Sequence, residues 1–191
     1  MKNVYKNCPS FENESYLLRM ARIDDKTDLL KVYSDKSAVP FFNSDNCGDD
    51  NFYYTTESRM EEAIEYWLWE YSRRGLVRWS VVSKNTNEVI GTIELFHRQA
   101  KDYFTNCGLL RLDIRSDYEI SEKIVDVLKL IIKPAYNLFD CDKIATKAIN
   151  TATERISALY KLGFEYSEEK LIGHDGTSYD SYFLLNKKFI F

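Results

Sequence analysis

A chain of 191 residues can bury a core without disulfide or metal staples, and its 45% hydrophobic and 15% aromatic content excludes a disordered polypeptide. The net charge of −4 disfavours nonspecific binding to nucleic acid. No run is apolar enough to cross a bilayer, "MKNVYKNCPS" lacks the apolar core of a signal peptide, and Cys8, Cys47, Cys107 and Cys141 lack metal-ligand spacing, so a cytoplasmic protein with no metal and no membrane partner is expected.

No repeat or linker divides the chain, which reads as one domain over 1–191 with an N-terminal extension at 1–14. Alternation predicts a strand over 15–23, then a short helix over 24–35 opened by acidic residues that suit its dipole. Residues 36–56 mix turn formers with aromatics and read as a loop. Over 58–74 a helix carries Met60, Ile64, Trp67, Leu68 and Tyr71 on one face. Ser58 and Glu61 suit a capping box at its start, and Gly75 a left-handed cap at its end. Strands over 76–82 and 88–97 form a hairpin across "SKNTN", and a third strand covers 107–114.

A helix over 121–139 has its stripe at Ile124, Leu128, Ile131, Ala135 and Leu138, with Pro134 inside it as a possible kink or early end. Residues 142–149 read as a strand. Thr151 and Glu154 suit a capping box for a helix to 162, which Gly163 ends, and strands over 164–171 and 178–185 flank the turn "GHDG". The order β-α-α-β-β-β-α-β-α-β-β predicts an α/β (α+β) fold, a mixed sheet with helices on both faces.

That order, with the segments "VIGTIEL", "LLRLDIRSDY", "CDKIATKAINTATERISALYKLGF" and "YDSYFLL", resembles the GNAT superfamily of acyl-CoA-dependent N-acetyltransferases over roughly residues 16–185. The branch nearest in pattern acetylates protein N-termini and small amines. The resemblance implies a mostly antiparallel sheet of about seven strands, in which 109–114 and 143–149 splay apart. It also implies acetyl-CoA as cosubstrate. The pantetheine arm would lie in the gap as an added strand does, and the pyrophosphate would rest on the next helix N-terminus. Its binding positions fall on Leu112, Asp113, Ile114 and Arg115 of the strand and on Ile120, Ser121, Glu122, Lys123 and Ile124 at the helix start.

The family's phosphate signature, Arg/Gln-x-x-Gly-x-Gly/Ala, laid on this chain without a gap, meets Glu119-Ile120-Ser121-Glu122-Lys123-Ile124 and differs at every signature position. At roughly 4 Å and an effective dielectric near 20, one carboxylate costs about 4 kcal/mol against one phosphate charge. Lys123 and Arg115 offer compensating charge. The same bend also reads structurally, with Ser116 and Glu119 as a capping box.

Acetyl transfer to an amine calls for a base and an acid. Glu94 on the strand "VIGTIELF" is a candidate base if a hydrophobic wall raises its pKa, and otherwise a polar residue on a solvated sheet face. The resemblance puts the acid four residues before the glycine of the last "GF", where Leu159 stands; Tyr160, one position on, is a candidate acid or a core tyrosine. Ser157 is a second hydroxyl on that helix, or a surface residue. His97 and His174 read as exposed loop residues, while Phe41, Phe42, Tyr53, Tyr54, Tyr179 and Tyr182 suit an acceptor pocket or the core.

The function implied is transfer of acetyl from acetyl-CoA to the primary amine of a small molecule or peptide, by direct attack in a ternary complex. The alternative is a catalytically degenerate GNAT-fold protein serving as a binding or assembly module, its cleft blocked by Glu122 or Ile124. A homodimer through "KKFIF" or the sheet edges is compatible with either.

Overall fold

The computed structural model describes residues 4–48 and 50–187. Alternating apolar residues build β1 (Phe11–Glu12), β2 (Tyr16–Met20), β3 (Val77–Ser83), β4 (Glu88–Arg98), β5 (Cys107–Ile114), β6 (Lys143–Lys147) and β7 (Glu165–Tyr166). They continue with β8 (Leu171–Ile172), β9 (Ser178–Tyr179) and β10 (Tyr182–Asn186). The main sheet runs β1-β2-β3-β4-β5-β6-β10-β7, and β8 pairs with β9 as a separate ribbon. Every neighbouring pair in the main sheet is antiparallel except β5 with β6.

The sheet has eight strands where about seven were expected, because part of the N-terminal segment is docked: Phe11–Glu12 add an edge strand and Val4 is buried in the core. The expected strand over 178–185 breaks at Ser181, whose φ of 66° turns the chain from the ribbon into the main sheet. The segment "KKFIF", offered above as a dimer contact, lies outside the described residues after Lys187.

Among the described residues, four α-helices cover the sheet: α1 (Lys26–Tyr33), α2 (Glu57–Ser72), α3 (Ser121–Leu138) and α4 (Thr153–Lys161). On one face Ile124, Leu128, Ile131 and Ala135 of α3 and Ala158 and Leu159 of α4 share a core with Leu110, Leu112 and Ile114. On the other, Leu29, Met60, Ile64 and Trp67 of α1 and α2 pack with Val82 and Val89. Each of the buried Leu, Ile, Val and Met side chains stabilises the fold by roughly 1.5–3 kcal/mol on burial. Pro134 sits inside α3, which runs on to Leu138.

The helix ends differ from the sequence reading. Thr56, extended at φ −134°, caps α2 by accepting from Arg59 N–H at 3.2 Å, so the helix opens two residues earlier than a cap at Ser58 allows. At its far end Arg74 takes the left-handed conformation (φ 65°). Gly75 does not take that conformation, and a Cβ there would meet only the movable end of the Glu70 side chain, at 1.8 Å. Gly163 does take the left-handed cap after α4, at φ 85°. Gly91, the glycine of "VIG", lets β4 lie against β5, since a Cβ would meet the Asp113 carbonyl oxygen at 2.4 Å.

Candidate functional site

Strands β5 and β6 begin in parallel register, from Cys107 opposite Lys143 to Leu110 opposite Thr146, and pair no further. Strand β6 ends at Lys147 while β5 continues to Ile114, so the upper half of β5 borders a gap. Within a strand, alternate residues turn their N–H and C=O to the same side. The Leu112 carbonyl faces the gap, where it accepts from Arg155 Nη1 at 2.9 Å.

Arg155, only 3% exposed, is the side chain that stands in the gap. Its Nη1 also donates to the Phe41 carbonyl at 2.8 Å, and Nε and Nη2 grip the Glu119 carboxylate at 2.8 and 2.7 Å. A buried guanidinium needs this much: two carbonyls and a bidentate carboxylate occupy its donors. Glu119 is therefore drawn away from the capping box with Ser116. Residues Ser116–Tyr118 form a 3-10 turn instead, and α3 starts after Ile120 with no side-chain cap.

The bare start of α3 is satisfied from α4. Glu154 accepts from Ser121 N–H at 2.8 Å, so this carboxylate serves another helix and does not close a box with Thr151. Ser157 Oγ meets Ser121 Oγ at 3.2 Å, and Lys161 donates to Ser121 Oγ at 3.0 Å and to Glu122 at 2.6 Å. The fold thus gathers Ser121, Glu122 and Ser157, and joins to them Glu119, Glu154, Arg155 and Lys161. Neither Glu122 nor Ile124 blocks the cleft: Glu122 is exposed on Lys161, and Ile124 is buried in the core. The two cations expected to face phosphate are held locally. Arg115 binds Asp117 at 2.7 and 3.0 Å, and Lys123 donates to the Asp117 carbonyl at 3.0 Å. Ile120 is exposed, while Leu112 and Ile114 point into the α3 core.

Asp113 and Glu94 belong to the opposite face. There Arg78 pairs with Asp113 at 2.9 Å and with Glu94, Arg111 reaches Glu94 at 2.9 Å, and Tyr33 Oη donates to Asp113 at 2.6 Å. Burial pushes the Glu94 carboxyl up, but the Arg78 and Arg111 guanidiniums outweigh it and hold the group below the usual carboxylate range. A base with a raised pKa is thus not what Glu94 is; two cations, not a hydrophobic wall, surround it. Arg111 also donates to the Asp45 carbonyl at 2.8 Å, tying down the loop after α1.

Glu94, Arg78 and Arg111 line a cavity of about 730 Å³ with Tyr54, Trp67 and Phe96, and with His97 and His174 at its border. Phe52 and Tyr54 are the loop aromatics that reach it; Phe42 packs on Tyr33, and Tyr182 is fully buried with its hydroxyl on Asp45 at 3.0 Å. Tyr160 is neither core nor near Glu94. It is 57% exposed, its ring edge-on to Phe183 on the α4 side of the sheet.

The residues around the gap fit the polar groups of an acyl-CoA. A strand edge with an outward carbonyl suits an amide-bearing arm, and the α3 N-terminus already holds an anion, the Glu154 carboxylate. Arg155 was missed in the sequence reading, and Glu154 was read only as half of a capping box with Thr151. The signal was present, because Arg155 falls on the stripe of Ala158 and Leu159, where a charge requires a buried partner.

No protein-family model matches the sequence, and no curated protein matches it. Solved structures do. A GNAT-family acetyltransferase from Bacillus anthracis superposes with a TM-score of 0.67 at 14% identity, over 94% of this chain and 99% of that one. The ribosomal-protein-S5-alanine acetyltransferase of Vibrio fischeri gives 0.69 at 16% identity, over 95% and 99%. RimL, a ribosomal L7/L12 alpha-N-protein acetyltransferase in complex with coenzyme A, gives 0.69 at 10% identity, over 93% and 98%. The chain therefore has the fold of the GNAT acetyltransferases. Among the described residues, no helix is long and apolar enough to cross a membrane.

Proposed function

We propose that this protein is a cytoplasmic N-acetyltransferase that moves an acetyl group from acetyl-CoA to a primary amine. The observation that carries this reading is the parting of β5 from β6 after Leu110 and Thr146, which leaves the upper part of β5 without a neighbouring strand where the resemblance puts the donor. Donor and acceptor would approach β5 from its two sides. The pantetheine arm would lie along the gap, where an N–H within residues 113–115 would polarise the thioester carbonyl. The amine would come through the 730 Å³ cavity on the α2 side. Direct attack in a ternary complex is then the simplest chemistry. The net charge of −4 favours a cationic acceptor, as a primary amine is at neutral pH. Glu94, saturated by two guanidiniums, is assigned to fixing Arg78 and Arg111 beside the cavity.

The test is release of free coenzyme A thiol from acetyl-CoA in the presence of a polyamine, an aminoglycoside or a peptide with a free N-terminus. Amine-dependent release is the expected result. No release, together with no heat of coenzyme A binding at millimolar concentration, would remove the enzyme. A binding module without transfer chemistry is the second reading, supported by Arg155 and Glu154 standing in the cleft.

A further inference from the structure

Three groups that a donor would need are already engaged by the chain itself. The Leu112 carbonyl is bonded to Arg155, the Ser121 N–H to Glu154, and Arg155 to Glu119. Two of these partners, Glu154 and Arg155, are consecutive on the first turn of α4, so a single short segment fills both the strand gap and the helix start. Glu154 is the exposed member and Arg155 the buried one. Lys161, from the last turn of α4, completes the contact on Ser121 and Glu122.

The chemistry of this arrangement is that of a bound anion. A carboxylate on a free helix N–H and a bidentate carboxylate on a guanidinium are contacts that a diphosphate makes with the same donors. We propose that Glu154 is a latch that keeps the donor's anion site at the start of α3 occupied. A diphosphate-bearing donor opens it by exchange, taking the Ser121 N–H from Glu154 and Lys161 from Glu122, while the buried Arg155 stays on Glu119. The donor's identity as acetyl-CoA rests on the function proposed above; the latch itself concerns a diphosphate. Exchange of anion for anion leaves the Ser121 N–H and Lys161 paired in both states, and Glu119 keeps its buried partner throughout.

Titration calorimetry with inorganic pyrophosphate, and separately with coenzyme A, compares the wild-type chain with Glu154→Ala. Glu154→Gln, which keeps the shape and removes the charge, stands in where the alanine variant does not fold. Removal of the competing carboxylate should tighten pyrophosphate binding by at least roughly tenfold, or about 1.4 kcal/mol. Lys161→Ala placed on top of Glu154→Ala should give back much of that gain. Equal pyrophosphate affinity in wild type and variant, or none in either, overturns the latch. If pyrophosphate binding tightens while coenzyme A binds neither protein, the latch stands and the acetyl-CoA reading falls.

Discussion

Arg155 carries a full charge into the sheet gap, and its stability rests on what surrounds it. Cutting it to alanine leaves Glu119, 9% exposed, as a buried carboxylate without its bidentate partner. Loss of one member of a buried pair costs about 3–5 kcal/mol, whereas replacing both by neutral groups of similar shape is far milder. Urea unfolding should therefore show Arg155→Ala well below the wild type, with Arg155→Met combined with Glu119→Gln recovering most of the difference. Similar losses in the two variants would mean that packing of the side chain, not its charge, holds this place.

Glu94 makes the same argument on the other face, with a sign in pH. Its carboxyl is depressed in the folded chain, because the two arginines more than offset burial, while an unfolded glutamate titrates near about 4.3. Its contribution is thus complete above that value and drains away as pH falls through the lower, folded pKa. Stability measured from pH 7 down to pH 3 should fall more steeply for wild type than for Glu94→Gln. That variant begins lower by about 3–5 kcal/mol, since two buried guanidiniums lose their shared anion. Parallel curves would show that Glu94 does not titrate with folding. Read from the sequence, Glu94 was visible as a charge within an apolar strand. Its partners were not, because Arg78 and Arg111 come from neighbouring strands whose register no local pattern specifies.

At the scale of elements, periodicity was legible and termini were not. The stripe of α3 at Ile124, Leu128, Ile131 and Ala135 is buried as its spacing requires. Each expected capping box, by contrast, dissolves in favour of something outside the helix: Thr56 caps α2, Glu119 goes to Arg155, and Glu154 goes to α3. A capping carboxylate and a cross-element carboxylate look alike in one dimension. Substitution separates them for α2. Thr56→Ala should cost about 1 kcal/mol, and Ser58→Ala, on an exposed first-turn position, should stay within about 0.5 kcal/mol. Comparable losses at both positions would restore Ser58 as the cap.

Gly91 shows how one residue couples two strands. The sequence marks it as the glycine of the strand segment "VIGTIEL"; the physical reason for it lies on β5, where a methyl would press into the Asp113 carbonyl at 2.4 Å. Since β4 and β5 are paired along their whole common length, neither backbone can yield alone. Gly91→Ala should therefore lower stability by about 1–3 kcal/mol, as overpacking does, with a matching fall in the thermal midpoint. A neutral result would mean that the hairpin of β3 and β4, already irregular between Val81 and Val82, absorbs the shift.

For the molecule as a whole, the sheet separates two chemistries. The gap, the α3 start and the latch lie with α3 and α4, while the cavity lies with α2 and the buried arginines, and β5 is the wall between them. Lesions on the two sides should then fall on different substrates. Gln99 is exposed at the cavity border, so a large ring there can fill space without disturbing the core. Gln99→Trp should raise the amine KM roughly tenfold, about 1.4 kcal/mol of lost binding, and leave coenzyme A affinity by calorimetry unchanged. If the tryptophan instead weakens coenzyme A while the amine KM holds, the cavity serves the donor, and the assignment of the two faces is reversed.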